Sequence, residues 1–252
     1  MLKLTDEIER SAESLRQAYR PEVLYMFRVN SRRVRSILKH MGSHRSRSHR
    51  KTWGGFAAAS NDARDWDVFL ATAEKLLPST EYRSFESLNA ERVRAAHEAV
   101  TGMLETTHWQ RHLGQWRDFL RTVDEHATDS DHSRAAVAAA LERVRNTLKT
   151  ALAADDDHAW HRFRISVKEL RYVTDALGDN DELVKACKKL QTLLGDWHDT
   201  VVQLNLLDEL PGAPVHDRLA DIVTGRKSDF LSRTRKLVIG HPVFDPEGSA
   251  ES

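Results

Sequence analysis

The sequence predicts an all-α protein, and three observations support this fold class. The 252 residues include only 11 Gly and 6 Pro, whereas an all-β chain needs many more turn-forming residues. Apolar residues recur every three or four positions, which is the spacing of one face of an α-helix. With 40% hydrophobic and 30% charged residues, the composition is that of a folded globular protein. The glycine motifs of dinucleotide and P-loop nucleotide sites are absent from the sequence.

Apolar periodicity and capping residues predict five helices in the first half of the chain, at about 5–19, 22–41, 62–77, 81–106 and 109–125. Pro21 separates the first two helices and suits the first turn of the second, where a missing N–H costs nothing. Gly42 is expected to cap the second helix at its C-terminus. The segment 42–55 is basic and rich in Ser and His, and we predict it to be a loop. Pro78 ends the third helix.

Four further helices are predicted in the second half, at about 134–154, 159–177, 181–210 and 215–238. Residues 126–133, HATDSDHS, are predicted to be a linker. The three acids at 155–157 precede a helix, where the helix dipole favours negative charge. Gly178 and Pro211 end helices, and the tail at 240–252 is expected to be disordered.

The predicted second and seventh helices are similar in sequence. RVNSRRVRSIL begins at Arg28 and RISVKELRYVT begins at Arg164, an offset of 136. Each segment is followed by an Asp-Trp element, RDWDVFL in the first case and GDWHDTVV in the second. Two elements matched in the same order indicate two copies of one helical unit. We predict repeat one at about 5–125 and repeat two at about 134–238, within a single domain at 1–239.

Cations on these two helices are spaced three and four residues apart, so that each set occupies one face. The first basic stripe spans an arc of roughly 60° and consists of Arg28, Arg32, Arg35 and Lys39. The second basic stripe spans roughly 80° and consists of His161, Arg164, Lys168 and Arg171. If the repeats pack about a pseudo-twofold axis, both stripes could line one groove that suits a long polyanion.

The cations are segregated from the acids, although the 38 Lys and Arg balance the 38 Asp and Glu. No acid lies between Arg28 and Lys51, a stretch with nine Lys or Arg and three His. Like charges one helical turn apart repel, so such a stripe calls for an external anion or for acids from other helices. The guanidinium fork suits phosphate oxygens. We therefore expect a neutral protein with a basic internal surface and an acidic exterior.

These residues resemble the CHAD family, the conserved histidine α-helical domain. The resemblance rests on RVNSRRVRSIL, HRFRISVKELRY, RDWDV and LQTLLGDWHDTVV, and it covers about residues 5–238. It implies two helical bundles related by pseudo-twofold symmetry around a basic surface. It also implies that the ligand is inorganic polyphosphate, and that the protein associates with polyphosphate granules.

The resemblance carries over to matching positions only. The first basic motif is matched by Arg28, Arg32, Arg33 and Arg35, and the second by His161, Arg164, Lys168 and Arg171. Tyr25 stands where the family's first histidine would fall, and Glu169 stands where a second basic residue is common. The family also occurs fused to a triphosphatase-like barrel with an E-x-E-x-K signature, but the start here reads EIERS. We therefore expect a stand-alone member without that activity.

We expect the remaining candidate residues either to lie on the ligand surface or to serve in packing. Arg226, Arg233 and Lys236 on the last helix, and the histidines at 40, 44 and 49, are further ligand candidates. The acids of the two Asp-Trp elements could suggest a metal or acid–base site, but we expect them to cap helices or pair with the stripes. His108 and His112 are expected at the surface, and Trp66, Trp197 and Cys187 in the core or an interface.

The sequence therefore predicts a non-enzymatic protein that binds inorganic polyphosphate through both stripes. No cofactor, metal or membrane partner is expected, and the predicted location is the cytoplasm. Nucleic-acid binding by the same stripes, an enzyme acting on phosphoanhydrides and a structural interaction protein remain alternatives.

Overall fold

A computed structural model describes residues 1–122, 130–177 and 181–244. These residues form ten α-helices and no strand, which confirms the predicted all-α class. Nine helices begin and end within about four residues of their predicted positions, and helix ends are commonly that uncertain. The helices are α1 (Leu2–Gln17), α2 (Pro21–His40), α3 (His44–Ala59), α4 (Asn61–Leu76), α5 (Ser79–Glu105), α6 (Thr107–Arg121), α7 (Ser130–Ala154), α8 (Asp157–Leu177), α9 (Asp181–Asp208) and α10 (Pro214–Val238).

The helices form two compact units. Unit 1, Met1–Glu125, contains α1–α6, and unit 2, His126–Ser252, contains α7–α10. Each unit has its own apolar core. Among the described residues, no helix is both long and apolar enough to cross a membrane.

The prediction of a loop at 42–55 was wrong, because α3 occupies most of this segment. Gly42 does cap α2, with φ of 65°, but only a short turn follows it. Ser43 caps the next helix, since its hydroxyl accepts a 3.0 Å hydrogen bond from the Ser46 N–H. Trp53 and Phe56, three residues apart, are buried and hold α3 on the core. The Ser- and His-rich composition therefore describes the exposed face of a helix, not a loop.

An aromatic cluster from α3 and α6 dominates the core of unit 1. It surrounds His112, which is only 3% exposed, so the expectation of a surface histidine was wrong at this position. The His112 ring lies edge-on to Trp53 at 5.0 Å and 5.4 Å from Phe56. Burial lowers the pKa of His112 to about 4, with smaller contributions from the charges of His49 and His108.

The core of unit 2 is built from apolar faces of all four of its helices. Trp160 and Phe163 of α8 are buried there, and so are Cys187 and Trp197 of α9. The packing roles predicted for Cys187 and Trp197 are confirmed, as is the role of Trp66 in unit 1, where it stacks on Phe69 at 6.0 Å.

The first residues of the expected disordered tail are ordered. Phe244 is 1% exposed and packs in the unit 2 core, and the Val243 carbonyl accepts a 3.1 Å hydrogen bond from Arg145. The predicted disorder was therefore wrong for residues 240–244. The rest of the tail, Gly178 and residues 126–129 of the predicted linker lie outside the described residues. The linker prediction was wrong for residues 130–133, because α7 begins at Ser130.

Apart from α6, which has no counterpart among the described helices of unit 2, the two units share an order of helices, with one difference that concerns the site. At the repeat offset, α2 corresponds to α8, and the single helix α9 corresponds to α3 and α4 together. Unit 1 breaks this long helix at Ser60, and Arg28 of α2 holds the break. The Arg28 guanidinium donates hydrogen bonds to the Ala57 carbonyl (2.7 Å), the Ser60 hydroxyl (2.6 Å) and the Asn61 side-chain oxygen (2.9 Å).

We expect Arg28→Lys to destabilise unit 1 by about 1–3 kcal/mol, because an ammonium cannot satisfy three oxygens with the fork geometry of a guanidinium. Urea unfolding followed by circular dichroism measures the loss. Arg32→Lys, on the exposed side of the same helix, is the matched control and should change stability by less than about 0.5 kcal/mol. Equal stability of the two variants would contradict the capping role of Arg28.

We expect the buried His112 to make folding weaken in acid. Its pKa is about 4 in the folded protein and about 6.5 when unfolded. Between these values only the unfolded chain takes up the proton, so stability is complete above pH 6.5 and falls by up to about 1.4 kcal/mol per pH unit below it. In urea unfolding from pH 8 to 5, His112→Phe should flatten this dependence and His108→Gln should not. An unchanged slope in His112→Phe would refute this assignment.

Candidate functional site

The first basic stripe lies along α2, and its side chains differ in exposure. Arg32 and Lys39 are exposed, whereas Arg28 and Arg35 are half-buried. Arg33 is exposed as well, but at 100° per residue it points roughly 140° away from Arg28 and does not extend the stripe. The helix thus presents two of the predicted cations fully to solvent on the stripe and one on another side.

Arg35 packs along α3. A Cβ atom on Gly54 would lie 3.6 Å from Nε of Arg35 and 3.7 Å from its Cζ. The glycine therefore lets the backbone of α3 lie against the flat side of the guanidinium. This packing explains why the third cation of the stripe is half-buried although its neighbours on the same face are exposed.

A cation from α4 joins the first stripe. The guanidinium of Arg64 lies 5.5 Å from the ring centroid of Tyr25, which is 49% exposed on α2, in cation–π geometry. Burial lowers the pKa of Arg28; the charges of Arg32 and Arg64 lower it further, and Asp65 opposes them. Three guanidinium groups are therefore close enough to repel one another, which is an arrangement that an anion relieves. Sequence reasoning had placed Arg64 only beside a possible metal or acid–base site.

Asp67, in the first Asp-Trp element, does not pair with the basic stripe as expected. Its side chain is 2% exposed, and its two carboxylate oxygens accept hydrogen bonds from the Tyr19 hydroxyl (2.7 Å) and from His97 Nε2 (2.9 Å). The Tyr19 and His97 rings stack at 3.7 Å. Burial and the bond to Asp67 raise the pKa of Tyr19. This acid connects the end of α1 to α4 and α5 and is not a partner of the cations.

The second basic stripe lies along α8, and all four of its side chains are half-buried. Arg171 donates a 2.6 Å hydrogen bond to the Gln191 side-chain oxygen of α9. Glu169, which stands at the departure from the family pattern, faces Arg143 of α7 at 3.6 Å. The stripe therefore lies at the edge of the α8–α9 packing, and its cations are less exposed than those of α2.

A second histidine joins the stripe from α9. The ring centroids of His161 and His198 are 5.0 Å apart. Burial lowers the pKa of His198 to about 4, and the charges of Arg164, His161 and Lys168 add to that effect. Burial, followed by the charge of Arg164, lowers the pKa of His161 as well. Sequence reasoning did not include His198 among the binding residues; its position in the GDWHD element was the available signal.

The candidate residues of α10 do not form one surface. Arg226 and Arg233 are exposed and lie on the ring of Phe230, at 5.3 and 5.8 Å from its centroid. Both lower the pKa of Asp196 on α9, although burial is the larger influence and raises it. Lys236 instead lines a cleft of about 580 Å³ on another side of the helix.

Acids at the start of α8 pair with two further cations of α10. Asp155, with φ of 52°, accepts hydrogen bonds from Arg235 and from the Trp160 indole, and Asp157 pairs with Lys227 at 2.6 Å. Asp156 caps α8 by accepting a 2.7 Å bond from the Ala159 N–H, as the helix-dipole argument predicted. Within the described ranges, no group of three or more His, Cys, Asp or Glu side chains is arranged to hold a metal ion.

A family model and a solved structure both relate this chain to the CHAD domain. The family model described as the CHAD domain matches residues 1–208. Two uncharacterized proteins from two strains of Mycobacterium tuberculosis are 39% identical to this chain over 93 residues, which is 34% of this chain and only 18% of the length of each relative. The crystal structure of the CHAD domain from the plant Ricinus communis has a similar fold, with a TM-score of 0.66 and 23% identity over 92% of this chain and 83% of that one. Because the family model covers most of its length, this chain belongs to the CHAD domain family.

Proposed function

We propose that the protein binds inorganic polyphosphate and catalyses no reaction on it. The observation that carries this proposal is the pair of basic stripes at matching positions of α2 and α8. Each stripe is joined by a side chain from a neighbouring helix, the guanidinium of Arg64 in unit 1 and the imidazole of His198 in unit 2. A chain of phosphates carries closely spaced negative charges, and such a chain would offset the repulsion within each stripe.

Exposure divides the candidate residues by role. Arg32, Lys39 and Arg33 on α2, with Arg226 and Arg233 on α10, are exposed and would form the outer contacts. Arg28 would act mainly through its charge, since three of its donors hold the α3–α4 break. Arg35 and the second stripe are half-buried and would contact only a ligand that lies close against the helices. Association with polyphosphate granules would follow from this binding.

Nucleic-acid binding is the second candidate, because RNA and DNA also carry a chain of phosphates. Tyr25 is an exposed aromatic ring beside Arg64, and bases stack on such rings. One exposed ring beside the first stripe offers little stacking surface, so polyphosphate is the better supported ligand. A competition between long-chain polyphosphate and single-stranded RNA distinguishes the two, with polyphosphate expected to displace the RNA.

We expect the affinity for long-chain polyphosphate to fall as salt rises, because each neutralised phosphate releases a counterion. Fluorescence anisotropy at several salt concentrations should give a linear fall of log K against log salt. The same samples, incubated with Mg²⁺, should release no inorganic phosphate. Absence of binding at low salt would refute the proposal, and phosphate release would favour an enzyme.

We expect the double variant Arg32→Glu, Lys168→Glu to bind polyphosphate at least about tenfold more weakly per lost contact, since a charge-assisted hydrogen bond contributes about 1.5–3 kcal/mol. Arg94→Glu with Lys149→Glu is the control, because it changes one exposed Arg in unit 1 and one exposed Lys in unit 2, both outside the stripes. Circular dichroism checks that both variants stay helical. Equal loss of affinity in the two double variants would mean that binding depends on the net charge of the protein and not on the stripes, which would contradict the assigned site.

A further inference from the structure

The histidine pair of unit 2 lies within the second basic stripe. His161 of α8 and His198 of α9 have ring centroids 5.0 Å apart and planes inclined by 44°. Both side chains are half-buried, and Trp197, which is fully buried, holds this part of α9 on the core. The pair is thus fixed by helix packing, and part of each ring remains accessible.

The charges that act on this pair are positive. Arg164 and Lys168, on the same face of α8, influence both histidines, and His158 adds to their influence on His161. Two carboxylates of α9 flank His198 in the sequence, Asp196 and the half-buried Asp199.

Two charged groups near the histidine pair, Asp196 of α9 and Arg143 of α7, interact with other side chains. Asp196 interacts with Arg226 and Arg233 of α10. On the side of α7, Arg143 pairs with Glu169 of α8. In the absence of an anion, burial and the surrounding cations therefore both favour the neutral form of the two rings.

Unit 1 carries a different pair at the matching place. Tyr25 takes the position of His161 at the repeat offset of 136, and its ring is covered by Arg64 from the helix that bears the Asp-Trp element. A guanidinium keeps its charge over the whole physiological range, and a tyrosine stays neutral there. In both units, a ring from α2 or α8 therefore lies beside a side chain of the helix that bears the Asp-Trp element. Of these two pairs, only the histidine pair of unit 2 can take up a proton in this way.

We propose that His161 and His198 form a proton-accepting anion site, in which a phosphate chain that binds against Arg164 and Lys168 brings a proton onto the histidine pair. The proton comes from the buffer, and an imidazole nitrogen receives it as the phosphate oxygens approach. This inference rests on the proposed polyphosphate binding and adds His198 to the binding residues. It makes the site of unit 2 pH-dependent, whereas the Arg64 site of unit 1 stays permanently charged.

The physical reason is linkage between proton and anion binding. A nearby phosphate stabilises the protonated imidazole and so reverses the effect of the surrounding cations on its pKa. Binding that takes up one proton strengthens tenfold for each pH unit of acidification, within the range between the free and bound pKa values. An Arg-only site would show no such dependence.

Isothermal titration calorimetry of the full chain with tripolyphosphate, in buffers of different ionisation enthalpy between pH 7.0 and 5.0, counts the protons taken up. The wild-type protein should take up more protons per bound ligand than His161→Asn, His198→Gln, and it should gain affinity more steeply as pH falls. Protons that tripolyphosphate itself takes up or releases contribute equally in both proteins, so they cancel when the two proton counts are subtracted. His108→Gln, an exposed histidine outside both stripes, should behave as wild type.

Nuclear magnetic resonance titration of the histidine side chains in the wild-type protein gives a second measurement that needs no variant. The imidazoles of His161 and His198 should titrate below the usual range in the free protein and shift upward by at least about one unit when tripolyphosphate is bound, whereas the imidazole of the core residue His112 should not shift. Binding with equal proton uptake in wild type and the double variant, or with unshifted imidazole titrations, would overturn this inference alone. Absence of binding in every protein would overturn the proposed function as well.

Discussion

On α2 and α8, a buried apolar face lies directly beside a row of cations, and this adjacency constrains how each unit is arranged. Phe27, Val34 and Leu38 fix the rotation of α2, because burying each such side chain contributes about 1.5–3 kcal/mol. Phe163 and Val167 do the same for α8. Once these faces are buried, the cations can only lie at the boundary between core and solvent. Burial then acts on their charge, as the lowered pKa of Arg28 and of His161 records.

The two units resolve this constraint differently, and the difference lies in the helix that follows the stripe. Unit 1 breaks that helix at Ser60, and Arg28 donates hydrogen bonds to the oxygens at the break. One predicted ligand residue is thereby engaged in folding, and Arg64 of the next helix comes to the same surface. Unit 2 keeps α9 continuous, so its stripe is covered more closely and receives His198 instead.

His112 and the half-buried His198 have similar pKa shifts with different consequences, because they lie in different surroundings. His112 and His198 both have a pKa near 4, and burial is the larger cause in each. His112 lies in the aromatic core of unit 1, where protonation can only weaken folding. His198 lies among cations at the edge of unit 2, where an approaching anion can restore its ability to accept a proton. A lowered pKa therefore affects the stability of the fold at His112, whereas at His198 it affects the proposed anion binding.

Helix positions and the family were accessible from the sequence, because helical periodicity and capping are local and the family motifs are contiguous. The pattern also placed Trp66, Trp197 and Cys187 in the core, as the buried faces require. The predictions that were wrong concern which other side chains a residue contacts. Composition suggested a loop where Trp53 and Phe56 hold α3, and spacing alone put His112 at the surface. The hydrogen bonds of Arg28 and Asp67, and the approach of His198 to His161, depend on side chains about 30 or more residues apart meeting across helices. Only tertiary packing brings such groups together, and it decides which cations hold the fold and which remain available to an anion.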